Sequence, residues 1–276
     1  MRFFFFAILI SIGVVASAQQ FKVMSYNIRY KNVTDGINQW DNRKEKVAEI
    51  IKRADIAGLQ EVLNVQIQDL KALLPAYDYV GVGRDNGKKK GEFSPIWYLK
   101  SKYSVVKWGT IWLSEKPDKK GSKGWDADLP RICTWARMKD KSSGTEFYVF
   151  NTHFDHKGKV ARVESAKLAI EKIKEIAAGS PVLFVGDFNM TNETEGYKIL
   201  MMKENGVNLR DAFYLVSTQG EVNTSYGFNV SKKDGKKIDY VFVSPQWKVM
   251  SHTIYTDNNG TSYPSDHLPV LAEVGL

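Results

Sequence analysis

A set of acidic, amide and histidine side chains falls at the ends of short apolar runs. Asn27 closes Ser25-Tyr26-Asn27, and Glu61 closes Leu59-Gln60-Glu61. His153 follows Asn151-Thr152, and Asp187 and Asn189 stand in Gly186-Asp187-Phe188-Asn189. Asp239 sits in Lys237-Ile238-Asp239-Tyr240, and Asp266 and His267 precede Leu268-Pro269. One acid at a strand end is commonly a turn or cap residue. A series of them on a sheet scaffold is where sites are built. The chemistry open to such a set is narrow. Carboxylate and amide oxygens are hard ligands suited to Mg²⁺, Mn²⁺ or Ca²⁺. An imidazole can donate to a phosphoryl oxygen while a carboxylate orients water for in-line attack. Zinc fits less well, since His153, Asp155 and His156 form the only close cluster and there is no His-Glu-x-x-His. The chain has no Gly-x-Ser-x-Gly elbow, no Gly-rich phosphate loop with Lys, and no dinucleotide fingerprint.

The elements that must position these groups alternate along the chain. Residues 21–28 and 56–62 read as strands, each followed by a helical apolar pattern. Asp41 is the expected cap of the first helix, with Val47, Ile50, Ile51 and Ala54 on its inner face; residues 65–74 form the second. Residues 77–82, 95–99, 105–113, 131–138 and 146–152 are β-rich runs separated by turn clusters, which predicts antiparallel pairing. A long helix over 160–178, a buried strand at 182–185 and a helix capped by Thr191 or Asn192 follow. Strands over 237–244, 248–255 and 268–274 end the chain. No Pro/Ser-rich linker divides it, so residues 19–276 read as one domain. Two packed sheets with helices outside would bury both the β-rich middle and the apolar helix faces.

Composition narrows the class further. The 276 residues are 43% hydrophobic and 25% charged, which excludes a disordered or collagen-like chain. The formal charge of +8 favours an anionic partner, such as nucleic acid, phospholipid headgroups or a small phosphorylated metabolite. Lysines cluster in residues 84–91 and 116–123, where they could flank a polyanion. The lone Cys133 excludes an intramolecular disulfide and reads as a buried thiol. Residues 1–18 carry Arg2, an apolar run and Ala16-Ser17-Ala18, the pattern of a signal peptide cut after Ala18. A secreted or periplasmic, monomeric protein with no integral membrane segment is expected. Trp97, Trp112, Trp125 and Phe228 are aromatic candidates for stacking on a base or sugar, with core packing the better reading for Trp97 and Trp112.

Together, Ser-Tyr-Asn, Leu-Gln-Glu-Val, Asn-Thr-His, Gly-Asp-Phe-Asn, Ile-Asp-Tyr and Ser-Asp-His-Leu-Pro occur in an order that resembles the endonuclease/exonuclease/phosphatase superfamily. The resemblance covers the chain beyond its leader. It implies an α/β fold, a four-layered sandwich of two mainly antiparallel sheets flanked by helices. It also implies a divalent-metal-dependent phosphoesterase, with Mg²⁺ the expected ion and Mn²⁺ or Ca²⁺ the alternatives. By the same resemblance Glu61 is the principal metal ligand, with Asn27 beside it and Asp266 near a second metal position. Asp187 orients or deprotonates the attacking water, and Asn189 holds the phosphate or the nucleophile. His267 stabilises the transition state with Asp239 as its partner, and His153 contacts the phosphate. Arg131, after a basic loop, is a candidate phosphate clamp. His156 and His252 match no position of the family pattern and read as structural or surface residues. The expected substrate is a phosphodiester such as nucleic acid. The alternatives are a sugar phosphate, an inositol phosphate or a lipid headgroup, and a catalytically silent nucleic-acid-binding module.

Overall fold

In the computed structural model, which describes residues 20–217 and 219–276, apolar alternation at strand period builds two sheets. The expected leader and its cut after Ala18 lie outside the described residues. In chain order the elements are β1 (Gln20–Asn27), α1 (Lys44–Ile51), β2 (Ile56–Gln60), α2 (Asn64–Leu73), β3 (Tyr77–Val80), β4 (Ile96–Leu99) and β5 (Tyr103–Trp112). Then come β6 (Ile132–Asp140), β7 (Glu146–His153), α3 (Lys159–Ala177), β8 (Val182–Asp187) and α4 (Glu195–Met201). β9 (Arg210–Asp211), β10 (Gln219–Gly220), β11 (Asp239–Val243), β12 (Lys248–Ile254) and β13 (Val270–Gly275) complete the chain. The first sheet runs β10-β12-β13-β1-β2-β4-β3 and the second β5-β6-β7-β8-β11-β9. Pairing is mainly antiparallel, as expected. The parallel exceptions are β1 with β2, β7 with β8, and the short β10 with β12.

The two longer parallel pairs position the site. A parallel neighbour needs a crossover, and helices α1 and α3 supply them. Each crossover returns the chain so that both strands of the pair finish at one end. Asn27 is therefore in register with Gln60, and His153 with Asp187. Antiparallel β11 starts where β8 stops, which sets Asp239 beside Asp187.

Between the sheets lies an apolar layer that includes Val23, Ile56, Ile96, Ala136, Val149, Val185 and Val241. The helices α1 and α2 cover the first sheet over Trp40, Leu59 and Trp97. The α3 and α4 helices cover the second over Phe150, Phe184 and Phe188. The result is helix, sheet, sheet, helix. The sheets approach closely at Gly58, where a Cβ would fall 2.4 Å from Val185 and 2.8 Å from Asn151. Beside it a buried amide network crosses the gap: Gln60 Nε2 donates to Asn151 Oδ1 at 2.7 Å, and Asn151 Nδ2 donates to the Leu59 and Pro95 carbonyls at 2.8 Å each.

Several local expectations change. α1 begins at Lys44 behind Arg43; Asp41 lies in a preceding 3₁₀ turn, where Lys31 Nζ reaches its carboxylate at 2.7 Å. α4 begins behind Thr194, whose hydroxyl donates to the Thr191 carbonyl, so neither Thr191 nor Asn192 is the cap. The β-rich middle is divided, β3 and β4 joining the first sheet and β5 to β7 the second. Trp97 and Trp112 are buried packing residues, and Trp112 Nε1 donates to the Arg84 carbonyl. Cys133 is buried and free.

Candidate active site

The strand ends converge on one cavity of about 300 Å³ at the rim where the sheets meet. Arg29, Glu61, Glu92, Arg131, His153, Asp187, Asn189 and His267 line it, with Tyr30, Leu129 and His156. Asn27 links the two sheets beneath it: Nδ2 donates to Glu61 Oε1 and to Asp187 Oδ2, each at 3.0 Å. Its Oδ1 accepts the Arg29 N–H at 3.0 Å, so Asn27 joins two carboxylates and offers its oxygen to the backbone. Glu61 is also held by the Tyr30 N–H at 3.2 Å. Three residues around the cavity, Arg29, Glu61 and Asn189, adopt left-handed backbone angles, with φ of 57°, 61° and 50°. Non-glycine residues adopt that region at a cost of order 1–3 kcal/mol each, and such strain concentrates at functional sites.

The charges divide into two sides. On one, His267 Nδ1 lies 2.8 Å from Asp239 Oδ2 and its Nε2 lies 3.8 Å from Asp187 Oδ2. Burial works against a charged His267, but the carboxylates of Asp239, Asp187 and Asp266 prevail and hold its pKa well above the usual histidine value. Burial, and then the Asp239 charge, push Asp187 up to about 7 against the pull of His267 and the bonds from Asn27 and Asn189. On the other side, His153 Nε2 meets Asn189 Nδ2 at 3.0 Å, and that same amide nitrogen donates to the Phe154 carbonyl. The nitrogen must be the donor to both, so His153 Nε2 accepts and its proton sits on Nδ1, 3.8 Å from Glu92 Oε2. Burial and the nearby Arg131 and Arg84 guanidiniums hold the His153 pKa well below the usual value.

Arg131 is buried in the cavity wall. Its Nε donates to Asp155 at 3.1 Å, its Nη2 meets His156 Nδ1 at 2.8 Å, and its Nη1 has no partner. His156, expected to be structural or surface, thus borders the site. His252 lies away from it, buried against Phe213. Trp125 and Phe228 do not line the cavity: Trp125 is tied by its N–H to the Glu115 carboxylate, and Phe228 lies under the Arg43 guanidinium.

Sequence reasoning missed Arg29, Arg84 and Glu92. Arg84 and Glu92 form a two-pronged ion pair at 2.9 and 2.7 Å that closes the base of the first lysine loop behind His153. No motif marks them, because their partners are distant in sequence or lie in loops. Arg29 had a signal, its place two residues beyond Asn27. The lysine loops pack against each other: a Cβ at Gly87 would fall 2.7 Å from the Lys120 side chain, and one at Gly121 2.5 Å from the Asp85 carbonyl.

Two groups could hold a cation. Glu61 and Asp266 present oxygen-only ligands suited to a hard divalent ion. Burial raises the Asp266 pKa, with the Glu61 charge adding to it against the pull of His267, Arg29 and Arg43. The ligand atoms of Asp187, Asp239 and His267 also lie within 4.8 Å of one another. There, however, the short His267–Asp239 contact already occupies Nδ1, which makes these two a hydrogen-bonded carboxylate–imidazole pair with Asp187 3.8 Å beyond Nε2.

The profile of the Endonuclease/Exonuclease/phosphatase family matches residues 24–267. The chain belongs to this family. Its members are divalent-metal-dependent phosphoesterases, and the chain is a family phosphoesterase. An endonuclease/exonuclease/phosphatase of Bacteroides vulgatus superposes with a TM-score of 0.89 at 44% identity, over 94% of this chain and 99% of that one. A mannosyl-6-phosphatase of Bacteroides thetaiotaomicron superposes at 0.86 and 40% identity, over 93% of this chain and 100% of that one. The catalytic domain of human nocturnin shares the fold at 0.73 and 19% identity, over 93% and 94%. Among the described residues no helix is long and apolar enough to cross a membrane.

Proposed function

We propose that the chain is an exported Mg²⁺-dependent phosphomonoesterase acting on a sugar phosphate. The observation that carries this reading is the cavity, a compact pocket at the small end of the range for small-molecule sites, ringed by Arg29, Arg131, His153 and His267. It suits one phosphoryl group and a ring. The 40% identity to a mannosyl-6-phosphatase over nearly the whole of both chains supports the same class.

Each side chain then has a task. Glu61 and Asp266 hold the cation, which when bound supplies Lewis-acid polarisation of a phosphoryl oxygen. Asp187, brought near neutrality by its surroundings, takes the proton of the attacking water. Asn27 keeps Asp187 aimed and tied to Glu61. The His267 imidazolium, oriented by Asp239, donates Nε2–H to the oxygen on which charge develops. Asn189 holds the neutral His153 and leaves its own Oδ1 for the water. Arg131 contributes positive charge from the cavity wall toward the phosphoryl group.

A panel of mannose 6-phosphate, glucose 6-phosphate, bis(p-nitrophenyl) phosphate and linear DNA, with and without EDTA and Mg²⁺, tests this. The sugar monoesters should turn over fastest, stop on chelation and recover with Mg²⁺. Faster diester hydrolysis, or indifference to EDTA, rejects it. A second reading, a nucleic-acid phosphodiesterase, is favoured by the two lysine loops packed against each other, the first of which leads into the cavity-lining Glu92. It predicts that DNA wins the same panel.

A further inference from the structure

Arg29 is among the most thoroughly fixed residues of the site. Its N–H donates to Asn27 Oδ1, and its carbonyl accepts from Arg43 Nη2 at 2.8 Å and Gln66 Nε2 at 2.9 Å. The side chain is equally held: Nε and Nη2 donate to the two oxygens of Asp35 at 3.1 and 3.0 Å, and the Tyr30 ring centre lies 4.4 Å from Cζ. That fork leaves Nη1 as the free end. Among the described residues Nη1 makes no hydrogen bond, and it stands 3.9 Å from both Glu61 Oε2 and Asp266 Oδ2, on the wall of the cavity. The distance is too long for a hydrogen bond and short enough for a strong electrostatic effect. A planar guanidinium with one edge spent on an aspartate and the other aimed into a phosphate-sized pocket is set up to receive an oxyanion.

We propose that Arg29 is a specificity-determining residue that selects a doubly charged phosphomonoester over a singly charged diester. Its Nη1–H donates to a terminal phosphoryl oxygen, the one that a diester carries as a second ester link. In a diester that oxygen is uncharged, accepts poorly and brings a carbon substituent against the wall formed by Glu61 and Arg29. The monoester dianion gains a charge-assisted bond there, and the diester gains none. This rests on the sugar-monoester reading above and names the residue that enforces it.

The test uses the full-length, Mg²⁺-loaded enzyme and its Arg29→Met, Arg29→Lys and Asp35→Asn variants. Three quantities are read: kcat/KM for mannose 6-phosphate and for bis(p-nitrophenyl) phosphate, calorimetric affinity for inorganic phosphate, and Mn²⁺ affinity by electron paramagnetic resonance. Loss of one charged hydrogen bond predicts that Arg29→Met lowers monoester kcat/KM and phosphate affinity by about 10–100-fold each. Diester kcat/KM should change less than about threefold and Mn²⁺ affinity should not weaken, because this cation repels the metal. Arg29→Lys should restore part of the loss. Asp35→Asn, which releases the fork without removing the charge, should show a smaller loss of the same selectivity and serves if Arg29→Met does not fold. A parallel fall for both esters, or an unchanged phosphate affinity, overturns the proposal. Should the wild-type enzyme prefer diesters, the sugar-monoester reading fails and the monoester-to-diester ratio of kcat/KM decides Arg29: a fall of about tenfold in that ratio in Arg29→Met upholds it and an unchanged ratio overturns it.

Discussion

His267 and His153 face the same cavity from its two sides and are almost equally buried, at 8% and 6% exposure. Their electrostatic states are opposite. Carboxylates surround His267 and make it a cation; guanidiniums stand behind His153 and keep it neutral. Burial pushes both downward; around His153 the Arg131 and Arg84 guanidiniums add to it, whereas around His267 the carboxylates overcome it. The site thereby holds a charged donor and a neutral imidazole a few ångströms apart, a division of labour that one residue type could not provide without such partners.

The largest break of this comparison removes the group between the two sides. Asp187→Ala should lower kcat by about 10²–10⁴-fold, the usual worth of a general base, and Asp187→Asn should not rescue it. Chemical-rescue and single-turnover assays would check this; a variant within tenfold of wild type would refute the role. A smaller effect is expected from changing each histidine's neighbour. Asp239→Asn should cost about 10–100-fold in kcat with little change in KM, and Arg131→Met should raise KM more than it lowers kcat. Proton NMR on EDTA-treated protein should show the His267 pKa falling in the first variant and the His153 pKa rising in the second. If neither moves, the two-sided account is wrong.

A third histidine sharpens the comparison at the smallest scale. His252 is buried, has no hydrogen-bond partner on either ring nitrogen, and packs on the edge of Phe213. Burial alone carries its pKa from 6.5 to about 4, the nearby Asp211 and Lys237 opposing each other. The unfolded chain therefore binds a proton that the folded chain refuses between those values. Stability present above pH 6.5 should fall by about 3 kcal/mol as pH drops toward 4, and level off below it. His252→Phe should flatten that slope in urea titrations, and an unchanged slope would reject the assignment.

How much of this was legible in the sequence follows from where each partner lies. Asn27, Glu61, His153, Asp187, Asp239 and His267 are visible because strand period places each at the end of an apolar run. Their convergence depends on the βαβ crossovers, which helical spacing also announces. Asp41 and Thr191 misled because a good capping side chain is only a local preference: Lys31 satisfied the first, and the carbonyl of Thr191 took the Thr194 hydroxyl. Glu92 and Arg84 were invisible for a different reason. They sit at the base of a lysine-rich loop and face His153 only once β7 has paired with β6 and β8.

The join between the sheets has a consequence in time as well as in space. Asn27, Glu61 and Asp266 belong to the first sheet, and His153, Asp187, Asn189 and Asp239 to the second, with the Asn27–Asp187 bond and the Gln60–Asn151 bridge spanning the gap. During refolding each sheet can form its ladders separately, yet neither owns enough of the cavity to turn over substrate. Recovery of activity should thus lag behind the return of secondary structure and coincide with docking of the two halves, so a simple phosphoesterase assay would clock the last step of folding.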